Sequence, residues 1–401
     1  MANIDFEEMC QPPMDKQQTE LVERKGIGHP DTICDAIMEQ VSVALCKEYR
    51  ASFGRVLHFN IDKGMLSAGR SAPHIGGGKV LEMMLVLFGD RATSRFEGKR
   101  IDVGDIAEQA AKIWIRRNLR FVNPDRHVLF QNQLKEGSPE LRGIFNRDVP
   151  VANDTVVAAG YAPLTETEQV VLDATRYLNS AEIKEKYPET GEDVKVLAYR
   201  RNRKLLLTIS MAYVDRFITN EQYYFDRKEE IRLALQEHLT SQTKTLDSIQ
   251  VMINTLDDPG RGEQGMYLTV LGTSAEGADG GQVGRGNRVN RLIALNRPIS
   301  NEAVAGKNPI SHVGKIYSVL TNRIASDIYA HVPGIEEVYI WLCSQIGQPI
   351  DNPLATSVQL CLKEGVDLTD VKPQIEAIIN NELATIHEFT LEMAEGKYQI
   401  W

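Results

Sequence analysis

The chain has 401 residues, of which 42% are hydrophobic and 25% are charged, and its formal net charge is −10. This composition is typical of a soluble globular protein, and the length predicts two or three domains rather than a single core. The acidic balance argues against a nucleic-acid-binding protein, which is usually basic, and no apolar run approaches the length of a membrane span.

Hydrophobic periodicity and turn residues predict alternating helices and strands. In the first half, the predicted elements are helix Pro30 to about Arg50, strands Arg55–Asp62 and Lys79–Phe88, helix Asp105–Asn118, loop Lys135–Asp154 and helix Glu166–Asn179. They continue with a hairpin of Val194–Tyr199 and Lys204–Val214, helix Asn220–Ser241, a second hairpin of Ile249–Leu256 and Met266–Gly272, loop Ser274–Asn308, helix His312–Tyr329, strand Glu337–Cys343 and helix Asp370 to about Lys397.

This layout repeats strand pairs followed by a helix three times, although no residue-level repeat accompanies it. It favours the α+β class, with helices packed on one face of each sheet. No low-complexity linker separates domains. The approximate units are residues 1–135, 136–260 and 261–401, and we expect them to be intertwined.

The five cysteines form no CxxC pair and no zinc-ligand spacing. Cys34 and Cys46 fall in the apolar pattern of the first helix, which predicts buried thiols. The odd cysteine count, together with an acidic N-terminus that lacks a signal-peptide core, predicts a cytoplasmic protein.

The most informative stretch is Gly26–Ile37, in which a glycine-flanked histidine precedes a proline that suits the first position of a helix. Helix N-termini present free N–H groups and the positive end of a dipole, so they attract anions. His29 could donate a hydrogen bond to an oxygen that gains charge, and Asp31 could hold a divalent cation. This combination suits a metal-polyphosphate substrate.

A second glycine-rich segment, Asp279–Arg288, contains two arginines that could fork onto phosphate oxygens. A flexible arginine-bearing turn is an equally good interpretation of this segment alone. Known nucleotide motifs do not match: Gly306-Lys307 is followed by Asn308, which excludes a P-loop, and Gly284-Arg-Gly286 lacks the third glycine of a Rossmann fingerprint.

Taken in order, the motifs closely resemble those of archaeal-type S-adenosylmethionine synthetases. They are Gly26–Asp31, Gly137–Leu141, Asn153–Thr155 with Gly160–Ala162, Asp193–Lys195, Asp279–Arg288 and Gly306–Lys315. The resemblance extends from about Glu23 to about Pro353. It implies that the methionine sulfur attacks C5′ of ATP and that the released triphosphate is hydrolysed to pyrophosphate and phosphate.

The resemblance also implies three similar α+β units related by pseudo-threefold symmetry. It implies Mg²⁺ and commonly K⁺ as cofactors, and a homodimer or homotetramer with the active site between subunits. The expected small-molecule partners are ATP and L-methionine, with no nucleic acid and no membrane.

Site residues carry over from the family motifs one by one. The catalytic group comprises His29 at the leaving oxygen and Lys195, Arg285 and Lys307 on the phosphates. The residues expected to bind ATP are Gly137, Ser138, Pro139, Glu140, Leu141, Asp193 and Arg288, of which the first five match a mobile loop. Those expected near methionine are Glu23, Asp154 and Asp279, and the metal ligand is Asp31.

One departure from the bacterial and eukaryotic branch concerns the second metal ligand. That branch carries a lysine and a metal-binding aspartate where this chain has Ser311, His312 and Val313. Asp62, His312 or Lys315 could substitute, and the sequence does not choose among them. The alternative functions are a non-catalytic nucleotide- or RNA-binding protein and an inactive regulatory homologue, against which the intact catalytic motifs argue.

Overall fold

We examined a computed structural model that describes residues 4–137 and 150–401. Its helices are α1 (Pro30–Phe53), α2 (Val103–Asn118), α3 (Pro124–His127), α4 (Glu166–Leu178), α5 (Ala181–Lys186), α6 (Glu221–Gln242), α7 (Val313–His331), α8 (Leu368–Ala384) and α9 (Ile386–Ala394). None of the described helices is both long and apolar enough to cross a bilayer.

The strands within the described ranges have between two and twelve residues. They are β1 (Ile4–Glu8), β2 (Thr19–Lys25), β3 (Phe59–Asn60), β4 (Met65–Ser67), β5 (Arg70–Ala72), β6 (Lys79–Glu82), β7 (Met84–Phe88), β8 (Arg91–Ala92), β9 (Arg95–Phe96), β10 (Lys99–Arg100), β11 (Val128–Asn132), β12 (Val157–Ala162), β13 (Thr190–Arg201), β14 (Lys204–Val214), β15 (Ser248–Ile253), β16 (Leu268–Thr269), β17 (Gly281–Gln282), β18 (Ile293–Ala294), β19 (Ile335–Cys343) and β20 (Ala355–Leu362).

Three larger sheets form the framework, with strand orders β11-β7-β4-β17, β15-β14-β13-β2-β18 and β1-β20-β19-β12. Each sheet has its own hydrophobic core, formed with α1 and α2, with α4 and α6, and with α7 and α8 respectively. The predicted α+β class is confirmed. Each sheet also takes strands from distant parts of the chain, since β1 joins β20 and β17 joins β4. The pseudo-threefold relation of the units stays a prediction.

The first predicted hairpin is correct, whereas the second is wrong. β13 and β14 pair antiparallel across the turn at Asn202 and Arg203. β15 and β16 do not pair with each other; both lie parallel to β14, at successive stretches of it. Because they pair with successive stretches of the same strand, β15 and β16 lie end to end and cannot face each other. α6 supplies the long crossover that the parallel pair of β14 and β15 needs.

Other elements differ from the prediction in extent. The predicted strand 55–62 shrinks to β3, and the run 79–88 divides into β6 and β7. β20 was missed, although its buried residues alternate with less buried ones. The long C-terminal helix is two helices that meet at Thr385.

α1 is the element that positions the site. It begins at Pro30, with His29 as the N-cap in an extended conformation, and it ends at Gly54, which adopts the left-handed conformation at φ 71°. Most of its length is buried, including Cys34 and Cys46 as predicted, because β4 and β17 pack on its first half and α2 on its side. The N-terminus of α1 is therefore held rigidly at the edge of two sheets.

Candidate active site

A cleft of about 600 Å³ opens at the N-terminus of α1, a size that suits a small-molecule ligand. Strands β2, β4 and β13 and the glycine-rich segment 279–285 form its walls. Five predicted site residues from these distant segments line it together: His29, Asp31, Lys195, Asp279 and Arg285. Lys25 also lines the cleft, although the sequence did not predict it as a site residue.

His29 caps the helix with its own ring. Its Nδ1 accepts a hydrogen bond from the backbone N–H of Asp31 at 3.2 Å. Burial, with the charge of Lys25, lowers the pKa of His29 to about 4, so the ring is neutral at neutral pH. Because Nδ1 accepts, the neutral ring carries its proton on Nε2 and can donate a hydrogen bond.

Both carboxylate oxygens of Asp31 are engaged. Oδ1 accepts from the backbone N–H of Gln282 at 3.0 Å, and Oδ2 accepts from Nζ of Lys25 at 2.8 Å. The same ammonium donates to the carbonyl of Arg285 at 2.6 Å. Lys25 therefore ties the end of β2 to the start of α1 and to the glycine-rich segment.

Lys195 lies on β13 beside Glu23 of β2, and their charged atoms are 3.2 Å apart. The lysine side chain is 40% exposed, so water screens this pair and it contributes little stability. The ammonium of Lys195 is thus available to an anion in the cleft.

Two further acidic residues differ in their accessibility. Asp193 is buried, and its Oδ2 accepts hydrogen bonds from the backbone N–H and the hydroxyl of Ser274. Burial raises the pKa of Asp193 to about 6, against the opposing effect of these bonds. Asp193 thus anchors the segment that leads into the glycine-rich loop. Asp279 is exposed at the cleft, where its carboxylate can meet a ligand.

A second polar cluster surrounds Lys307. The ammonium of Lys307 contacts the carboxylate of Asp62 and lies 2.7 Å from that of Glu302. Its carbonyl accepts from Ser42 of α1 at 3.0 Å. Ser42 follows Asp31 by eleven residues, which corresponds to about 16 Å along the helix axis. We call this group the Lys307 cluster; its residues do not line the cleft.

The three residues that the sequence left open as a second metal ligand, namely Asp62, His312 and Lys315, surround Lys307. Asp62 also contacts Lys63 at 2.5 Å, so two ammonium groups occupy its oxygens. The ammonium of Lys315 donates to Glu39 at 2.6 Å. His312 caps α7; burial, together with the charge of Lys307, lowers the pKa of His312 to about 3.

Three further predicted residues within the described ranges do not line the cleft. Asp154 is exposed in the turn before β12, and the side chain of its neighbour Asn153 accepts from the N–H of Val313 at the start of α7. Gly137 packs so closely on the ring of His58 that a Cβ would lie 2.4 Å from Nδ1. Arg288 donates to the carbonyl of Gly284 at 3.1 Å. The predicted residues Ser138, Pro139, Glu140 and Leu141 lie outside the described ranges.

Comparison with known proteins gives one consistent family. The family model of S-adenosylmethionine synthetase (AdoMet synthetase) matches residues 2–397. The S-adenosylmethionine synthase of Pyrococcus furiosus is 42% identical over 100% of this chain and 99% of its own. That of Hyperthermus butylicus is 44% identical over 100% of this chain and 99% of its own.

A solved structure is similar in fold. It is an S-adenosylmethionine synthetase from Campylobacter jejuni, which covers 92% of this chain and 88% of its own with a TM-score of 0.60. Because the two sequences are only 16% identical, this likeness supports the fold alone.

Proposed function

The chain belongs to the S-adenosylmethionine synthetase family, and we propose that it forms S-adenosyl-L-methionine from ATP and L-methionine in the cleft at the N-terminus of α1. The methionine sulfur attacks C5′ of ATP, the triphosphate leaves whole, and the same site hydrolyses it to pyrophosphate and phosphate. The observation that carries these roles is the convergence of His29, Lys195, Arg285 and a helix N-terminus on one cleft.

The chemistry explains why such groups converge. Sulfur is already a good nucleophile, so the first step needs no general base. The barrier lies in the negative charge that builds on the departing triphosphate, which preorganised donors stabilise best. Nε2–H of His29 is the donor to the oxygen that leaves C5′. The positive end of the α1 dipole and the charges of Lys195 and Arg285 attract and bind the phosphates.

Mg²⁺ fits this cleft as a companion of the triphosphate. Mg²⁺ commonly binds one or two carboxylates and completes its shell with phosphate oxygens and water. Asp31 and Asp279 supply carboxylates at the cleft, and no cluster of three or more protein ligands occurs within residues 4–137 and 150–401. When bound, the ion would neutralise charge on the phosphates. Asp62 does not line the cleft, and its carboxylate contacts Lys63 and Lys307; its role as a second metal ligand stays a prediction.

We propose that a second copy of the chain completes the site, as a homodimer or homotetramer. The β13 face that carries Lys195 leaves Leu197 and Tyr199 about two-fifths exposed, at 38% and 40%. Such apolar side chains beside a ligand cleft are typical of an interface. Lys307, which does not line the cleft of its own chain, would then act on the triphosphate bound by the other copy.

In such a dimer, the acidic residues expected near methionine would come from both copies of the chain. Asp279 lines the cleft and Glu23 contacts the cleft residue Lys195, so these two carboxylates would hold the ammonium group of the substrate. Asp154 lies near the start of α7 and would contribute across the interface. K⁺ binding and a cytoplasmic location stay predictions.

Product analysis tests this function. Purified protein with ATP, methionine and Mg²⁺ should yield S-adenosylmethionine, pyrophosphate and phosphate in equal amounts. Loss of ATP without S-adenosylmethionine would contradict the assignment. Salt-dependent RNA binding without turnover would instead favour the non-catalytic alternative.

A further inference from the structure

The glycine-rich segment carries Arg285 to the cleft with little regular structure of its own. The two residues of β17 are the part of it that pairs with a sheet, through β4. Two carboxylates one turn apart on α1 also hold the segment. Asp31 accepts from the N–H of Gln282 at 3.0 Å, and Asp35 accepts from the N–H of Gly284 at 2.8 Å.

Asp35 makes contact on both sides of Arg285. Besides accepting from the N–H of Gly284, its carboxylate packs against Gly286. A Cβ added to Gly286 would lie 2.2 Å from Oδ2 of Asp35, so glycine is needed for this approach. The side chain of Asp35 is buried beneath the glycine-rich segment and does not line the cleft.

We propose that Asp35 is a positioning residue for the triphosphate: it accepts from the amide before Arg285, packs against the glycine after it, and so fixes the direction of that arginine. A carboxylate suits this role because both of its oxygens accept hydrogen bonds. Asparagine has one acceptor oxygen, so its NH₂ group would face either the N–H of Gly284 or the closely packed Gly286. A loop fixed before the ligand binds loses less freedom on binding, which strengthens binding. This role rests on the proposed function.

The first test compares Asp35→Asn with Tyr49→Phe by calorimetric titration with inorganic tripolyphosphate. Tyr49 is a matched control because its buried hydroxyl donates to Thr93 from the same helix without touching the loop. We expect Asp35→Asn to weaken tripolyphosphate binding about tenfold or more. Tyr49→Phe should leave that affinity unchanged, and neither variant should alter the KM for methionine.

A double-mutant cycle shows whether Asp35 acts through the arginine. In an Arg285→Ala background, Asp35→Asn should have little further effect on tripolyphosphate affinity. An equal loss in both backgrounds would overturn the proposal, as would an Asp35→Asn protein that only melts earlier. If Asp35→Asn does not fold, Gly286→Ala perturbs the same contact from the loop side, and unchanged affinity there would also overturn it.

The outcomes also separate this role from the proposed function. Wild-type protein that binds tripolyphosphate but makes no S-adenosylmethionine would refute the function while the cycle still measures Asp35. Wild-type protein that makes S-adenosylmethionine while Asp35→Asn binds tripolyphosphate normally would refute the positioning role alone.

Discussion

Substitution of His29 separates its two roles, because one nitrogen caps the helix and the other faces the reaction. In His29→Ala both are lost. In His29→Asn the short amide can still accept from the N–H of Asp31, since asparagine is a favoured N-cap, but it cannot replace Nε2–H. The pair of variants therefore distinguishes a capping defect from a catalytic one.

The magnitudes follow from these two roles. Loss of one donor to a developing negative charge costs about 2.7–4 kcal/mol, or roughly 100- to 1,000-fold in kcat. Loss of an N-cap costs about 1 kcal/mol of folding free energy. We expect both variants to lose kcat to this extent and only His29→Ala to lose stability.

The assay is steady-state S-adenosylmethionine formation at saturating ATP and methionine, paired with denaturant unfolding of each variant. His29→Asn with nearly wild-type kcat would refute the assignment of His29 as the donor to the leaving oxygen. Equal destabilisation of both variants would refute the capping argument.

Three further perturbations test neighbouring parts of the account. Lys25→Met should lower kcat/KM for ATP about tenfold, because its ammonium ties Asp31 to the carbonyl of Arg285; unchanged kinetics would show that the tie is dispensable. The fold lowers the pKa of His312 to about 3, whereas in the unfolded chain this imidazole takes up a proton once the pH falls below about 6.5. The folding free energy is therefore fully present above pH 6.5 and decreases as the pH falls from 6.5 to about 3. At pH 5 this amounts to about 2 kcal/mol, and denaturation of His312→Asn should show a correspondingly shallower decline between pH 6.5 and 5. Chelation of Mg²⁺ should abolish both half-reactions and its return should restore them; full turnover in the chelator would contradict the metal argument.

Sequence patterns correctly predicted the elements whose structure depends on residues close together in the chain. α1 follows from its apolar periodicity and from Pro30, and the β13–β14 hairpin follows from two alternating strands around a short turn. The pairing of β15 with β14 could not be predicted in this way, because a parallel register depends on how α6 packs across the sheet. Sequence spacing does not contain that information.

The candidate site also contains residues that the sequence predicted and residues that it did not. Family motifs predicted His29, Asp31, Lys195, Asp279 and Arg285, and the structure places them on one cleft. Lys25 and Asp35 were missed as functional residues, since they act through backbone atoms of a segment about 250 residues away. A basic residue before the glycine motif and a second carboxylate one turn after Asp31 are the signals that could have drawn attention to them.

Co-expression of His29→Asn and Lys307→Met chains tests the central claim most directly, namely that the cleft of one copy and the Lys307 cluster of another act on the same triphosphate. Each variant alone should be nearly inactive. In a random mixture of dimers, about a quarter of the sites would combine His29 of one chain with Lys307 of the other, so about a quarter of wild-type activity should return. A mixture as inactive as either variant alone would contradict the claim.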